Sequence, residues 1–389
     1  MREAVEINPE LLIWARETAG LSLEEAAEKL GMKDSARGSA AEKLRRLEAG
    51  EQPVSETRLQ KASAIYRRPL VSFYLPRPPK RGDRGEDFRT TAAAVSTRDN
   101  ALLDALMRDV RARQQLVREL LVEEEVRPLP FVASAIIEHG VRIVAAAIRN
   151  TLDVTEEHQR AAKGAAELFT LLRAAVERAG IYVLLLGDLG SHHSDIGEEV
   201  FRGFALADDI APFIVINDND AATARAFTLM HELAHIWIGA TGVSGPLTAL
   251  SENTIERFCN AVAGEFLLPV EAAALPDLRQ ADVQTVLRAA ARLADVWNVS
   301  EGVVTYRFFS RSRISDEVAA RLFRLFAERW RAEEKKRKEK ESDSGPSYYI
   351  VRRHRLGNAL LGVVRRAIQE ETITHTRAAK ILGVSPASI

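Results

Sequence analysis

Cysteine is almost absent from this chain of 389 residues, and its single copy, Cys259, excludes an internal disulfide. A protein of this size without disulfides is typical of a reducing compartment, which indicates the cytoplasm. The sequence also lacks an apolar run of the roughly 20 residues that cross a bilayer, and it lacks the pattern of a signal peptide. We therefore expect a soluble cytoplasmic protein with no membrane partner.

An excess of charge of one sign is missing as well. The 54 Lys and Arg residues balance 55 Asp and Glu residues, and the formal net charge is −1. Global basicity therefore does not indicate nucleic acid binding, and any contact with DNA has to come from a local patch. The length is sufficient for two or three domains.

Histidine is scarce, with eight copies in the chain, yet two of them lie four residues apart in one apolar segment. This segment reads His-Glu-Leu-Ala-His and contains His231, Glu232 and His235, in a pattern that predicts a helix from about Ala221 to Gly239, capped by Asn219 or Asp220. Residues four apart share one helix face, so both imidazoles can bind one ion while Glu232 reaches a water beside it. The pattern predicts a zinc hydrolase whose glutamate is the general base.

The third metal ligand is expected to be a glutamate on a second helix, at about residues 255–268. Glu252, Glu256 and Glu265 are the candidates. We prefer Glu256, because Glu252 has an adequate role in capping the helix and Glu265 lies on the face opposite Glu256. Asn260 follows Glu256 by one turn and can orient a ligand through a hydrogen bond. Manganese or iron suits the same donor set as zinc.

Residues 7–75 contain five short helical patterns. A capping box from Ser22 to Glu25 begins the second, and the third is expected from about Ser39 to Glu48. This order predicts a helix-turn-helix domain, although the turn at 32–40 is longer than the usual three or four residues. The candidate DNA contacts are the basic side chains of the turn and the third helix: Lys33, Arg37, Lys43, Arg45 and Arg46. The alternative is a solvated basic face used for contacts with protein.

Two apolar segments before the histidine motif, at 203–207 and 212–217, predict a β-hairpin. A peptide substrate can add to an edge strand through main-chain hydrogen bonds, so Arg202, Gly203 and Phe204 are candidates for substrate binding. A long amphipathic helix is predicted at 100–125, where it can pack within the domain or hold a homodimer together.

Two sets of segments carry a resemblance to known families. Phe-Thr-Leu-Met-His-Glu-Leu-Ala-His, Ile-Glu-Arg-Phe-Cys-Asn and Glu-Phe-Leu-Leu-Pro resemble the ImmA/IrrE family of zinc metallopeptidases, over about residues 165–309. Gly-Leu-Ser-Leu-Glu-Glu-Ala-Ala-Glu-Lys-Leu-Gly and Leu-Glu-Ala-Gly-Glu-Gln-Pro resemble the phage-repressor (XRE/Cro-CI) class of helix-turn-helix domains. By position, the first resemblance implies a gluzincin-like endopeptidase in which His231, His235 and Glu256 bind zinc and Glu232 is the base. It further implies that the substrate is a helix-turn-helix transcriptional repressor, cleaved in a response to stress, DNA damage or a mobile element.

The expected fold class is α+β and predominantly helical, with an all-α helix-turn-helix domain before a zincin-like metallopeptidase domain that has a small sheet and an active-site helix. The expected plan is a helix-turn-helix domain at 1–75, a linker at 76–99, a helical connector at 100–164, the metallopeptidase domain at 165–312, a helix and charged linker at 313–345 and a C-terminal helical segment at 346–389. The alternative function is a DNA-binding regulator or antitoxin whose zinc domain senses a ligand without cleaving. A sensor tolerates the loss of Glu232, whereas a hydrolase does not.

Overall fold

The structure is a computed structural model that describes residues 4–5, 7–36, 38–79, 86–87, 96–190, 194–244, 253–340 and 348–386. Its described residues form two compact units. Unit 1 takes those of 1–84, 93–109 and 189–194, and unit 2 takes those of 85–92, 110–188 and 195–389. Across these residues helices dominate and the sheets are small, which confirms the α+β, predominantly helical class.

Unit 1 is built from short helices around one apolar core. In chain order it contains β1 (Ala4–Val5), α1 (Glu10–Thr18), α2 (Leu23–Lys29), α3 (Ala40–Glu48), β2 (Val54–Ser55), α4 (Glu56–Tyr66) and a 3-10 helix (Leu70–Tyr74). Capping boxes at Ser22 and Ser39 begin α2 and α3, so the sequence fixes both starts locally. A largely buried ion pair between Arg16 and Glu48, at 2.8 Å, joins α1 to α3.

The segment between α2 and α3 is held by its own polar groups. Gly31 follows α2 with a φ of 73°, and Asp34 Oδ1 accepts a hydrogen bond from the Ala40 amide at 2.7 Å. Lys43 Nζ donates to the Lys33 carbonyl at 2.7 Å. Lys33 and Asp34 of the long turn are therefore linked directly to α3.

Unit 2 carries the remaining elements. They are β3 (Glu86–Asp87), α5 (Thr97–Glu123, of which residues up to 109 belong to unit 1), a 3-10 helix (Ile137–His139), α6 (Val141–Leu152), α7 (Glu156–Ala161), α8 (Ala165–Arg178), β4 (Tyr182–Leu185), β5 (Gly203–Leu206), β6 (Phe213–Ile216), α9 (Arg225–Ile238), β7 (Gly242–Ser244), α10 (Thr254–Leu267), α11 (Val270–Ala273), α12 (Val283–Trp297), α13 (Glu301–Ser310), α14 (Asp316–Lys340), α15 (Tyr348–Leu356), α16 (Asn358–Gln369) and α17 (His375–Leu382).

The sheet of unit 2 has the strand order β3-β7-β5-β6-β4. β5 runs antiparallel to both β6 and β7, whereas β4 runs parallel to β6 and β3 parallel to β7. Every residue of β4, β5 and β6 is buried. These strands therefore appear in the sequence as short continuous apolar runs.

The predicted hairpin is present, but the prediction that its first strand is a free edge is wrong. Gly203 lies opposite Ile216 on one side and opposite Ser244 on the other. β5 is a central strand, and its main-chain groups already form hydrogen bonds with the two neighbouring strands. A substrate peptide cannot add to Gly203 and Phe204 in the way that the sequence suggested.

The outer edge of β4 is covered by an arginine. Tyr182 N donates to Pro212 O at 3.0 Å and Leu186 N to Ile216 O at 2.9 Å, so the even-numbered residues of β4 face β6. The carbonyl of Val183 therefore points to the outer edge, where Arg173 Nη2 donates to it at 2.6 Å. Arg173 Nη1 also donates to the His354 carbonyl of α15, at 2.7 Å, and links the strand to the C-terminal helices.

The C-terminal helices pack against the rest of unit 2 through charged pairs. Arg355 contacts Asp188 at 2.7 Å and Asp218 at 2.6 Å. Arg366 pairs with Glu124 of the α5 region at 2.7 Å. In the described part of the chain, no helix is both long and apolar enough to cross a membrane.

The central helix α9 starts later than the sequence suggested. It begins at Arg225 after Ala224, which provides no side-chain cap. Neither predicted capping residue caps α9. The Asn219 side-chain amide donates hydrogen bonds to the carbonyls of Gly187 and Ile196, and Asp220 Oδ1 accepts one from the Ala221 amide. The predicted end is confirmed, since Gly239 closes the helix with a φ of 72°.

Candidate active site

Three buried side chains on α9 and α10 converge on one point. His235 Nε2 lies 3.1 Å from His231 Nε2 and 2.9 Å from Glu256 Oε1. His231 Nε2 lies 3.3 Å from Glu256 Oε2. The helical spacing places the two imidazoles one above the other, and the packing of α10 against α9 brings the carboxylate to them.

This donor set fits a metal ion. Ligand atoms bound tetrahedrally at roughly 2.1 Å from zinc lie about 3.4 Å from one another, close to the three separations seen here. Two imidazole nitrogens and a carboxylate direct several lone pairs at one buried point, and a single N–H proton satisfies only part of them. Within the described residues, these side chains form the one His/Cys/Asp/Glu group with ligating atoms close enough to hold an ion.

The electrostatics of the cluster favour positive charge. Burial opposes a charge on His231, but Glu256, with smaller contributions from Glu232 and Asn260, outweighs it and raises the pKa of His231 to about 9. Burial acts against ionised Glu256, yet His231 and His235 hold its pKa at about 2. Burial lowers the pKa of His235, which keeps a neutral imidazole available as a ligand.

Glu232 lies beside this cluster in a dry position. Its side chain is 0% exposed, and neither carboxylate oxygen has a hydrogen-bond partner among the described residues. Burial, together with the charge of Glu256, raises the pKa of Glu232 to about 8 despite the opposing effects of His231 and the nearby hydroxyl of Ser244. Without a metal the side chain therefore holds a proton at neutral pH, and the positive charge of a bound ion would favour the ionised form, which can accept a proton from a reactant.

The absence of a side chain at Gly203 leaves space for the carboxylate of Glu232. A Cβ at this position would lie 2.7 Å from Glu232 Oε1 and 2.8 Å from Thr228 Cγ2. The close approach of β5 to α9 therefore requires glycine. Gly203 consequently affects the site through packing against the carboxylate, a role that a linear motif does not reveal.

Replacing Gly203 with alanine should displace Glu232 and lower the free energy of unfolding by about 1–3 kcal/mol through overpacking. Gly302→Ala is the matched control, since a Cβ there meets only Ser300 Oγ at 3.6 Å. Urea unfolding measures the difference, and equal stability of Gly203→Ala and Gly302→Ala would contradict the crowding argument.

Several further side chains border the cluster. Asn260 is buried on α10, one turn after Glu256, and its side chain helps to raise the pKa of His231 by hydrogen bonding. Ser244 Oγ lies 3.1 Å from His231 Nε2. Phe227 stacks near His231 at 6.4 Å and meets Tyr306 edge-on at 5.8 Å. The sequence did not single out Ser244 or Tyr306, because both come from elements outside the histidine motif.

The other candidate ligands take different places. Glu265 lies away from the cluster and binds two arginines, Arg307 at 2.5 Å and Arg311 at 3.1 Å. Glu252 falls outside the described residues. Cys259 is fully buried, and burial raises the pKa of its thiol well above the ordinary value, which does not favour a thiolate ligand.

Arg202, the third candidate for substrate binding, lies at the start of β5 beside acidic groups. Its Nε is 3.7 Å from Asp220 Oδ2, and Asp220 is 1% exposed. Burial and the neighbouring Asp220 raise the pKa of Glu198 to about 7, and the charge of Arg202 offsets only part of this shift. Arg202 therefore faces carboxylates of its own chain, and a role in substrate binding stays a prediction.

Replacing Glu198 with glutamine should raise the free energy of unfolding at pH 8 by about 1 kcal/mol and change it little at pH 5. The unfolded carboxyl has a pKa of about 4.3, whereas the folded pKa is about 7. The folded state binds the proton more tightly, so the wild type loses stability as pH rises through 7. Glu167→Gln, the same substitution at an exposed position of α8, is the control. Urea unfolding at both pH values measures the difference, and a gain at pH 5 as large as that at pH 8 would refute the shift.

The predicted DNA contacts lie in unit 1. Lys33, Arg45 and Arg46 are exposed, Lys43 is partly buried, and Arg37 falls outside the described residues. Lys43 is engaged with the preceding turn, so Arg45 and Arg46 are the basic side chains of α3 most accessible to a ligand.

Residues 176–309 match the model of the Peptidase_M78 family, described as the IrrE N-terminal-like domain. The match extends from the end of α8 to α13 and includes the three converging side chains and Glu232. It supports a metallopeptidase-like domain in this part of the chain. No curated protein and no solved structure was found to match.

Proposed function

We propose that the protein is a metal-dependent endopeptidase with zinc as its metal. The observation that carries this proposal is the convergence of His231, His235 and Glu256 within 3.3 Å of one another, with the unpaired carboxylate of Glu232 on the same helix. The family match to residues 176–309 supports the same reaction class.

His231, His235 and Glu256 would hold the ion, and Asn260 would help to orient His231. A bound zinc supplies a Lewis acid that polarises the scissile carbonyl and makes a nearby water more acidic. Glu232 takes the proton from the attacking water and delivers it to the leaving amine. Phe227 and Tyr306 form an apolar wall beside His231 that limits the access of bulk water.

Glu232 separates this function from that of a sensor that does not cleave. A sensor needs the three ligands and has no use for an additional buried carboxylate. Leaving such a group without a hydrogen-bond partner is costly for folding, and the cost is explained if the group acts as a base. The position of Glu232 therefore favours the hydrolase.

The substrate that we propose is a transcriptional repressor with a helix-turn-helix domain, on the basis of the family resemblance of the two units. The test is to incubate the purified full chain, loaded with zinc, with repressors of this type encoded near its gene. Cleavage should stop when the metal is chelated and return when zinc is added. A chain that holds zinc and cuts no repressor under any of these conditions would overturn the proposal.

Unit 1 is proposed to bind DNA through α3. Replacing Arg45 and Arg46 together with glutamate should weaken binding to a duplex from the promoter of its own gene. The slope of log K against log salt should also fall by about one unit per lost phosphate contact. Lys61→Glu, an exposed substitution on α4, is the control. Fluorescence anisotropy at several salt concentrations gives the slope, and an unchanged slope would refute the contact.

A further inference from the structure

A second cleft lies behind the helix that carries Glu256. It has a volume of about 700 Å³ and is lined by residues of α6, α10 and α13. Ala261 of α10 lines this cleft, whereas Glu256 of the same helix faces the histidines. The cleft is therefore separate from the metal centre but shares a helix with it.

One side of this cleft is apolar and open to solvent. Val141, Ile143 and Ala146 of α6 line it together with Ala261. Ile143 is 66% exposed, and Ala146, one turn later on the same helix, is exposed too. A single exposed apolar side chain is common, but one that lines a concave apolar surface indicates a place where a partner can bury it.

The other side of the cleft carries unbalanced positive charge. Glu265 Oε2 accepts hydrogen bonds from both Arg307 and Arg311, so one carboxylate serves two guanidinium groups. Arg307 is buried, whereas the side chain of Arg311 is 40% exposed. Arg142, which also lines the cleft, pairs with Glu271, but both are largely exposed and the pair is weak. Arg311 can therefore donate to a second carboxylate that the chain itself does not supply.

We propose that this cleft binds a segment of a partner protein in which an acidic side chain lies next to an apolar one. The carboxylate would pair with Arg311, and the apolar side chain would pack on Ile143 and the floor at Ala261. The partner that we assign is the protein cleaved at the metal centre, a step that depends on the proposed peptidase function.

The position of α13 fits the assignment to the substrate. Arg307 and Arg311 of this region line the cleft, while the adjacent Tyr306 contacts Phe227 beside His231. A long substrate held in this cleft would be bound away from the bond that is cut. Contacts of this kind add affinity and selectivity without taking part in the chemistry.

The binding test uses the full chain with Glu232→Gln, so that the probe is not cut. The probe is a short fluorescein-labelled peptide of alternating leucine and glutamate, with a leucine and lysine peptide as its counterpart. Ile143→Ser and Arg311→Gln should each weaken binding of the acidic probe about tenfold, a change typical of losing one anchor. Val296→Ser and Arg365→Gln are the matched controls, because both residues are exposed and lie outside the cleft.

Three results would overturn the binding site. They are equal affinity for both peptides, unchanged affinity in Ile143→Ser and Arg311→Gln, and displacement of the acidic probe by millimolar inorganic phosphate as effectively as by unlabelled peptide. The last result would mean a simple anion site. Thermal unfolding of each variant shows whether a change in affinity reflects a loss of fold, and the exposed Ile143 gives a variant that keeps its core.

The cleavage test decides whether the ligand is the substrate. With Glu232 intact, Ile143→Ser should raise KM for a cleaved repressor about tenfold and leave kcat unchanged. A short peptide that spans only the cleavage site should be cut at the wild-type rate. Equal loss on both substrates would overturn the docking role. If the wild type cuts no protein, the peptidase proposal fails, and the peptide measurements still decide what the cleft binds.

Discussion

Replacing Glu232 with glutamine is expected to lower peptide cleavage by about 10²–10⁴-fold while metal binding is preserved. Glutamine keeps the size of the side chain, but its amide cannot accept the proton that the reaction releases from water. The three side chains that converge on the metal position are unchanged in this variant. Single-turnover cleavage and elemental analysis on the same sample measure the two quantities.

The matched control is Glu199→Gln, the same substitution at an exposed position outside the metal cluster. It should cut at the wild-type rate. Full activity in Glu232→Gln would show that Glu232 is not the general base and would favour the sensor function. A parallel loss of metal and cleavage would mean that Glu232 is needed to hold the ion.

Replacement by alanine should affect metal binding at one glutamate of α10 and stability at another. Glu256→Ala should lose the metal, because it removes one of three donors from the cluster. Glu265→Ala should keep the metal but lose about 3–5 kcal/mol of stability, because Arg307 stays buried without its carboxylate. Metal content and urea unfolding of both variants test the pair.

Each variant is the control for the other, since both remove a buried glutamate from the same helix. Metal retained in Glu256→Ala would place the third ligand elsewhere, with Glu252 as the next candidate. Metal lost in Glu265→Ala, in a variant that is still folded, would show that the ion pair with Arg307 supports the geometry of the site.

The arrangement of His231, Glu232 and His235 could be predicted because it depends only on the repeat of one helix. The choice between Glu256 and Glu265 also depended on helix geometry, because the two residues lie on opposite faces. The structure places Glu256 beside the histidines and Glu265 beside Arg307. Both predictions were possible because they depend only on the positions of residues along a single helix.

Features that depend on distant parts of the chain could not be predicted. β5 is a central strand because β7, which follows α9 in the chain, pairs with its free side. A sequence pattern shows that a segment is a strand but not how many neighbours it has. The position of Ser244 beside His231 also depends on β7, and the contact of Gly203 with Glu232 depends on how β5 packs against α9. The late start of α9 arises because Asn219 serves the carbonyls of residues far from the helix.

Arg173 also bears on how the protein behaves when it is concentrated. The terminal strand of a sheet offers unpaired carbonyls and amides to the same strand of another molecule, and aggregation can start there. On β4 the outward carbonyl of Val183 is occupied by Arg173, which α15 holds in place through the His354 carbonyl. A shortened chain that ends at residue 340 would lose the His354 contact that fixes Arg173, and we expect its β4 edge to be more open to pairing with other copies.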